Sequence, residues 1–376
     1  MTNKSPIGLY VHIPFCKRKC PYCDFYSLVG NEARQTDYIN AVLAHLSKVS
    51  VKCLADTLYF GGGTPILVNP SELGRIIHQA KILFLMPDDS EITLEANPCA
   101  TTIQNLTQLY QNGVNRISFG MQSANEKELK ALGRTHNIRQ VKQAVKNAKR
   151  AGFENISVDI MLGVPFQTQE TLKYTIDFLA ELEIQHISAY MLKVEPNTPF
   201  AGDKLIEQIP EEDLVSDLYL FTCEQLEKLG FFQYEISNFA KQGFACKHNL
   251  KYWKQQEYLA FGPSAHGFWN GKRYFYPRDI KTYINTAGDN WQIAEDNIDI
   301  LEEYLLLGLR LSEGICVDQI RLSSRVNWNQ FQKKVYLFEK HGFLKQQNHA
   351  IFLTPKGFLL SNIIIGELIM CIRSDT

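Results

Sequence analysis

Apolar residues along the first two-thirds of the chain follow two alternating rhythms. Residues 7–13, 56–60, 91–96, 116–120, 156–161 and 186–192 have strand-like composition and length. Helix-like segments separate them, among them 37–49, 101–112 and 138–151. Leu73, Ile76, Ile77 and Ala80 fall at i, i+3, i+4 and i+7, which is one face of an amphipathic helix. Leu172, Ile176, Leu179 and Leu182 mark another. Six β/α units in this order imply parallel strands joined by right-handed helical crossovers. The expected fold class is α/β, built as a partial (β/α)6 barrel. A doubly wound sheet is the alternative, because strand order leaves no trace in a hydrophobic pattern.

After Pro196 the rhythm breaks. Residues 211–229 predict one long helix and 232–239 a strand, followed by an aromatic-rich stretch from His248 to Tyr276. From Ile280 two or three helices lead to a pair of short strands around 346–349, the pattern of a small winged-helix-like α+β module. The expected division is therefore a barrel over 1–200, a linking helix and aromatic region over 201–279, and a C-terminal module over 280–376. The module holds ten Lys/Arg against eleven Asp/Glu, which argues for packing or docking and against nucleic acid.

Composition sets outer bounds. The 376 residues are 45% hydrophobic and 21% charged, with a formal charge of −1, so no global field draws the chain to nucleic acid. Apolar stretches at 82–86 and 363–372 are much shorter than the roughly 20 residues that span a bilayer. The opening MTNKSPIGLYVHIPFC has no apolar core followed by a small-residue cleavage site. A cytoplasmic protein is expected, with peripheral membrane association left open. Nine cysteines, an odd number in a chain this long, argue against a secreted disulfide scaffold. Six are scattered singly and read as small buried hydrophobes.

The other three crowd into Cys16-Lys-Arg-Lys-Cys20-Pro-Tyr-Cys23, directly after the first strand. A [4Fe–4S] cube held by three thiolates keeps one iron without a protein ligand, open to a small molecule, whereas electron-carrying clusters take four Cys. Zinc is the rival metal, with His12 as the fourth donor, although zinc sites more often use two Cys or His pairs.

Cys-x3-Cys-x2-Cys with an aromatic before the third Cys resembles the radical-SAM superfamily. The longer motif HIPFC-x3-C-x-YCDF resembles the oxygen-independent coproporphyrinogen III oxidase group, and the resemblance runs over nearly the whole chain. It implies a radical-SAM barrel whose open iron chelates S-adenosylmethionine (SAM) and whose electron cleaves the sulfonium to a 5′-deoxyadenosyl radical. By the same resemblance, Tyr10 and Tyr22 border the ligand. Gly61-Gly62-Gly63-Thr64-Pro65 matches the segment that contacts the methionine amino group. Glu95, Gln122, Arg134 and Asp159, at or near successive strand ends, match polar SAM contacts. That is where barrel enzymes place their sites. Glu95, Gln122 and Asp159 offer hydrogen-bonding groups for hydroxyl and amino groups, and Arg134 can fork onto a carboxylate.

Two features separate branches of the group. The oxidases resemble a pattern with a fourth Cys two residues beyond the third; here that position is Phe25. His248-Asn249-Leu-Lys-Tyr252-Trp253 is similar to the HNxxYW motif of the HemW-type haem chaperones. This resemblance implies haem as cargo, handed to haem-requiring acceptors, respiratory proteins among them, with a flavodoxin or ferredoxin as reductant. His248 is the first candidate iron ligand and His266, in Gly-Pro-Ser-Ala-His-Gly, the second. Tyr252, Trp253, Tyr258 and Phe261 could stack on a macrocycle. Three readings stand: a haem chaperone, a coproporphyrinogen-decarboxylating enzyme, and a zinc-stabilised binding module. Cleavage of SAM is compatible with the first two.

Overall fold

A computed structural model describes residues 5–29, 32–49 and 53–372. Strands β1 (Ile7–Ile13), β2 (Ala55–Gly62), β3 (Glu91–Ala96), β4 (Arg116–Gln122), β5 (Asn155–Leu162) and β6 (His186–Met191) lie side by side in chain order, all parallel. Sequential order without a reversal separates a barrel-type sheet from a doubly wound one. Each crossover helix buries the face its apolar spacing predicts. The helix Pro70–Leu83 buries Leu73, Ile76, Ile77 and Ala80, and the helix Gln169–Glu181 buries Leu172, Ile176 and Leu179. Asn137 and Thr168 open their helices with capping boxes, which satisfies backbone donors that the first turn leaves free.

Strands in β1–β6 alternate strictly. Leu9, Val11, Leu58, Phe60, Ile92, Leu94, Ile117, Phe119, Ile156 and Val158 point out to the helices and are fully buried. The other face carries Tyr10, His12, Thr57, Tyr59, Glu91, Thr93, Glu95, Arg116, Ser118, Ser157, Asp159 and His186. The barrel interior is polar, and such groups are stable there only when paired.

The predicted single strand at 232–239 is a hairpin, β7 (Phe232–Glu235) and β8 (Asn238–Ala240), with β8 antiparallel to β6. Glu235 accepts from the backbone N–H of Ser237 at 3.2 Å, and this local bond turns the chain where a continuous strand would run on. The aromatic-rich stretch supplies the opposite flank. β9 (Tyr258–Phe261) pairs parallel with β1, and β10 (His266–Trp269), β11 (Lys272–Phe275) and β12 (Gln292–Glu295) follow antiparallel, giving twelve strands in one sheet.

Beyond it, the helix Ile300–Gly308, β13 (Ile315–Cys316), the helices Val317–Arg321 and Trp328–Lys340, and the hairpin β14 (Leu344–Gln347) and β15 (Ala350–Leu353) have winged-helix order. Leu305, Ile315, Ile320, Phe331, Leu344 and Ile351 form its core. Tyr234 and Ile236 share backbone hydrogen bonds with Ser312 and Arg310, so the module docks on the β7 edge.

The short helix Lys247–Trp253 closes the amino-terminal end of the barrel. Glu91, buried, accepts the backbone N–H groups of Lys247 and His248, each at 3.0 Å, and the Cys246 thiol at 3.4 Å. Lys251 anchors the other end, 2.7 Å from Asp56 and 2.8 Å from the Pro6 carbonyl. A carboxylate on the first turn of a helix satisfies free donors and opposes the helix dipole. Replacing Glu91 by alanine is therefore expected to cost about 3 kcal/mol. Urea denaturation of Glu91→Ala should show a clearly lowered midpoint; an unchanged midpoint would remove Glu91 from this role.

Candidate cluster and cofactor site

The carboxyl ends of β1–β4 are tied into one surface by backbone bonds. After β1 the chain passes Pro14 and enters the cysteine loop, closed by Cys16 N–H to the Leu28 carbonyl at 3.0 Å and Leu28 N–H to the Pro14 carbonyl at 2.7 Å. The glycine turn after β2 docks on this loop. Gly63 N–H donates to the Ile13 carbonyl and Thr64 N–H to the Phe15 carbonyl, both at 2.8 Å. A Cβ on Gly63 would lie 2.7 Å from the Phe15 carbonyl oxygen. Gly62 has φ of +107°, and a Cβ there would meet the His12 ring at 2.5 Å. Only glycine fits both positions.

Cys16, Cys20 and Cys23 are free and partly exposed on this loop. Cys16 Sγ lies 3.4 Å from Thr64 Oγ1, and Arg134 Nη1 donates to Cys20 Sγ at 3.5 Å. Burial, with lesser contributions from the other two thiols, pushes the Cys23 thiol up. Three thiols on one exposed loop, flanked by a guanidinium, suit a polynuclear thiolate centre. Among the described residues no three His, Cys, Asp or Glu side chains converge on a point that could hold a single metal ion. His12 cannot serve as a fourth donor as it stands. Its Nε2–H donates to the Tyr26 carbonyl at 2.8 Å and its Nδ1 accepts from the Tyr10 hydroxyl at 3.1 Å.

The other candidates line the same end of the barrel. Tyr10 stacks on Tyr59, with centroids 6.2 Å apart. Tyr22 packs against the cluster of Leu132, Met161 and Val164, beside Cys20 and Cys23. Glu95 accepts from the Tyr59 hydroxyl at 2.8 Å and from Gly62 N–H at 3.1 Å. Burial lifts its carboxyl to about 7, against these two bonds; Asp159 adds to the rise and Arg116 opposes it. Asp159 accepts from Ser118 Oγ at 2.9 Å, and burial raises its carboxyl too. Gln122 ends β4 at a register shift with φ of +73°, a left-handed conformation seldom adopted outside glycine. Its amide lies 3.0 Å from where a Gly120 Cβ would stand, and Arg134 Nη2 donates to the Gly120 carbonyl at 2.6 Å. Tyr10, Tyr22, Gly62, Gly63, Thr64, Glu95, Gln122, Arg134 and Asp159 thus share one mouth with the cysteines.

His248 lies a layer deeper, under the amino-terminal ends of β1 and β2. It is 1% exposed, with Nδ1 2.8 Å from Thr57 Oγ1 and Nε2 2.8 Å from the Tyr252 hydroxyl. Its ring stacks on Tyr59 at 5.2 Å, and burial with Lys251 and Arg116 nearby lowers it to about 3. His266 is the opposite case. It is exposed on β10, stacks on Phe275 at 5.5 Å, and has no hydrogen bond to its ring among the described residues. Burial, and to a lesser degree Arg278, lowers its pKa from the ordinary imidazole value. Phe261 is fully buried in the core, while Tyr252 packs edge-on to Tyr258 at 4.6 Å.

Two interior residues went unread in the sequence. Tyr59 orients Glu95, and its inward direction follows from the alternation Thr57, Tyr59, Gly61. Arg116, 2% exposed at the start of β4, is the interior cation that acts on Glu95, Asp159, His186 and His248. A strand-initial Arg ordinarily faces solvent, so the sequence carries no signal for it.

Residues 10–179 match the radical SAM superfamily, and residues 296–360 match the HemN C-terminal domain. The chain is 33% identical to heme chaperone HemW of Bacillus subtilis, over 96% of this chain and 98% of that one. It is 38% identical to heme chaperone HemW of Haemophilus influenzae, over 97% and 98%. Radical S-adenosyl methionine domain-containing protein 1, mitochondrial, of Bos taurus is 31% identical over 94% of this chain and 81% of its own. The structure superposes on coproporphyrinogen III oxidase (HemN) of Escherichia coli with a TM-score of 0.83, covering 99% of this chain and 91% of that one at 21% identity, which establishes a shared fold.

The raised Glu95 carboxyl sets a pH dependence. The unfolded chain loses this proton near 4.5 and the folded one near 7. Between these values the folded state binds more protons, so its stability falls as pH rises and is level above about 7. Relative to Glu95→Gln, wild type should lose up to about 3 kcal/mol between pH 4.5 and 7. Parallel unfolding curves for the two proteins over that range would contradict the assignment.

Proposed function

The chain belongs to the HemW family within the radical SAM superfamily, and we propose that it binds haem and passes it to haem-requiring acceptor proteins. The observation that carries this reading is similarity along the full chain to proteins named as haem chaperones. Phe25, 67% exposed where the oxidase pattern has its fourth cysteine, agrees with it.

In this reading Cys16, Cys20 and Cys23 hold a [4Fe–4S] cluster. SAM lies against Tyr10, Tyr22, Gly62, Gly63, Thr64, Glu95, Gln122, Arg134 and Asp159. When bound, the cluster offers one open iron and an electron for reductive SAM cleavage. The chain's own groups prepare the mouth. The two glycines bring backbone to the ligand's edge, and Tyr59 holds Glu95 on a fixed line. Arg134 balances thiolate charge at Cys20. His12 fixes the Tyr10 hydroxyl, leaving the Tyr10 ring face as an apolar wall.

For the cargo, a neutral imidazole with a free lone pair is the ordinary protein ligand to haem iron. His266 meets that condition without rearrangement. His248 meets it only by giving up one of its two hydrogen bonds, to Thr57 or to Tyr252.

Anaerobic hemin titration of the reconstituted protein, followed at the Soret band, tests this reading. Wild type is expected to bind, and one of His248→Ala or His266→Ala to bind at least roughly tenfold more weakly, a loss of about 1.4 kcal/mol. Wild type without a Soret band would end the haem assignment. A full band in the double variant would end ligation by either histidine. Serine in place of all three clustered cysteines should abolish bound iron and sulfide.

A further inference from the structure

A row of oxidisable rings runs from the mouth of the barrel to solvent. Tyr10 and Tyr38 begin it, joined through His12. The Tyr10 hydroxyl donates to the His12 ring at 3.1 Å, and the Tyr38 hydroxyl donates to the His12 carbonyl. Tyr38, on the helix Glu32–Lys48, also packs edge-on to Phe15, the residue before Cys16, at 5.5 Å. From Tyr38 the row passes to Tyr283 at 5.8 Å, then to Tyr276 at 5.8 Å, Tyr274 at 5.9 Å and Trp291 at 6.0 Å, all between ring centroids. Such spacing is direct contact between rings. Tyr38, Tyr276 and Tyr283 are buried, while Trp291 at the far end is 54% exposed.

His45 stands in the middle of the row, buried, with Nδ1 2.9 Å from the Tyr283 hydroxyl and Nε2 3.1 Å from the Tyr276 hydroxyl. Burial lowers its ring to about 4, with Lys48 adding to the fall and Asp289 opposing it, so the imidazole is neutral at pH 7. A neutral imidazole carries one N–H and one lone pair, so one of the two phenols donates its proton to His45. Tyr10 has the same arrangement at the mouth with His12. Packing alone does not call for these pairs, because hydrocarbon of the same shape would fill the space as well. A tyrosine gives up an electron readily only when its phenolic proton leaves with it, since the radical cation is a strong acid. A positioned neutral histidine is the group that takes that proton. Electron tunnelling weakens exponentially with distance, so short steps between rings outrun a single jump from the mouth to the surface.

We propose that Tyr10, Tyr38, Tyr283, Tyr276, Tyr274 and Trp291 form a path that drains oxidising equivalents from the mouth to solvent, with His12 and His45 as proton acceptors; the source of those equivalents rests on the cluster reading above. The oxidant is a carbon-centred radical that meets no substrate in the mouth. Tyr10 supplies one electron and passes its phenolic proton to His12. The radical carbon takes that electron with a proton from water and closes as a C–H bond. Each ring further out refills the one before it, and the histidine then returns the proton. Trp291 is left one electron short, its indole proton lost to solvent. A thiol in solution gives it a hydrogen atom, restoring the indole, and two thiyl radicals couple to a disulfide. In sum one carbon radical is reduced and one thiol oxidised.

The test is flash-quench oxidation of the full chain, with tris(bipyridine)ruthenium as photosensitiser and a cobalt(III) ammine as quencher. It injects a hole at exposed rings, and a path between like rings conducts in either direction. Electron paramagnetic resonance then counts the tyrosyl radical. Five proteins are compared: wild type, Trp291→Phe, Tyr276→Phe/Tyr283→Phe, His45→Gln, and Tyr336→Phe, an exposed ring on the C-terminal module. The radical yield is expected to fall several-fold in Trp291→Phe and in the double variant, and to hold in Tyr336→Phe. Glutamine at 45 keeps a hydrogen bond but takes up no proton. His45→Gln should therefore lower the yield and abolish the slowing in heavy water that wild type shows. Trp291→Phe changes a surface ring and keeps the test open if the core variants fail to fold. Equal radical yield in wild type and Trp291→Phe overturns the proposal, and so does a loss confined to Tyr336→Phe. Iron and sulfide analysis of the reconstituted chain is read separately. A chain that takes up no iron overturns the cluster reading, and with it the source of the oxidant, whatever the radical yields.

Discussion

The backbone seam between the cysteine loop and the glycine turn holds the functional end of this protein together. Two N–H groups, of Gly63 and Thr64, donate to the carbonyls of Ile13 and Phe15. Those bonds fix a loop that would otherwise be a free excursion after β1. They require two backbone segments to approach more closely than any side chain allows, so the contact exists only because glycine stands at 62 and 63. Glu95 reinforces the seam from the next strand by accepting Gly62 N–H, and Tyr59 holds Glu95 in turn. Three strands, β1 to β3, thereby converge on one rigid surface, and thiols carried by a loop acquire the precision of a strand end.

The polar interior beneath this surface is the second consequence. A barrel whose inward positions are Tyr, Thr, Glu, Ser, Asp, Arg and His cannot be stabilised by close-packed hydrocarbon as a filled (β/α) barrel is. It relies on paired groups, and the helix Lys247–Trp253 supplies many of them. Glu91 caps that helix, Lys251 pairs with Asp56, and His248 joins Thr57 to Tyr252. The motif that resembles a haem-binding signature is therefore also the floor of the barrel. Any role of His248 toward a metal is coupled to the integrity of that floor.

Charge is divided between the two faces of the cysteine loop. Toward the interior, Arg134 is bound to Cys20 and Gly120 and belongs to the mouth. Toward solvent, Lys17, Arg18, Lys19 and Lys130 are exposed and form no ion pair among the described residues.

Much of the fold was legible in the sequence, because burial on both faces of parallel strands and on one face of each helix leaves a period that can be counted. The six β/α units and the winged-helix order came from that period, and the three-thiol loop came from spacing along the chain. Strand order, the hairpin at β7 and β8, and the antiparallel flank from β9 to β12 left no such period, since they depend on which edges meet in space. The same division holds for the site. Motifs located the cysteines, the glycine turn and the polar strand ends, which are local features of the chain. Only tertiary structure decided that His248 is enclosed with both nitrogens bonded while His266 is exposed, and that Arg116 is an interior charge. The enclosure of His248 is set by neighbours far away in sequence, Thr57 among them at 191 residues' separation, which no residue type or spacing can specify.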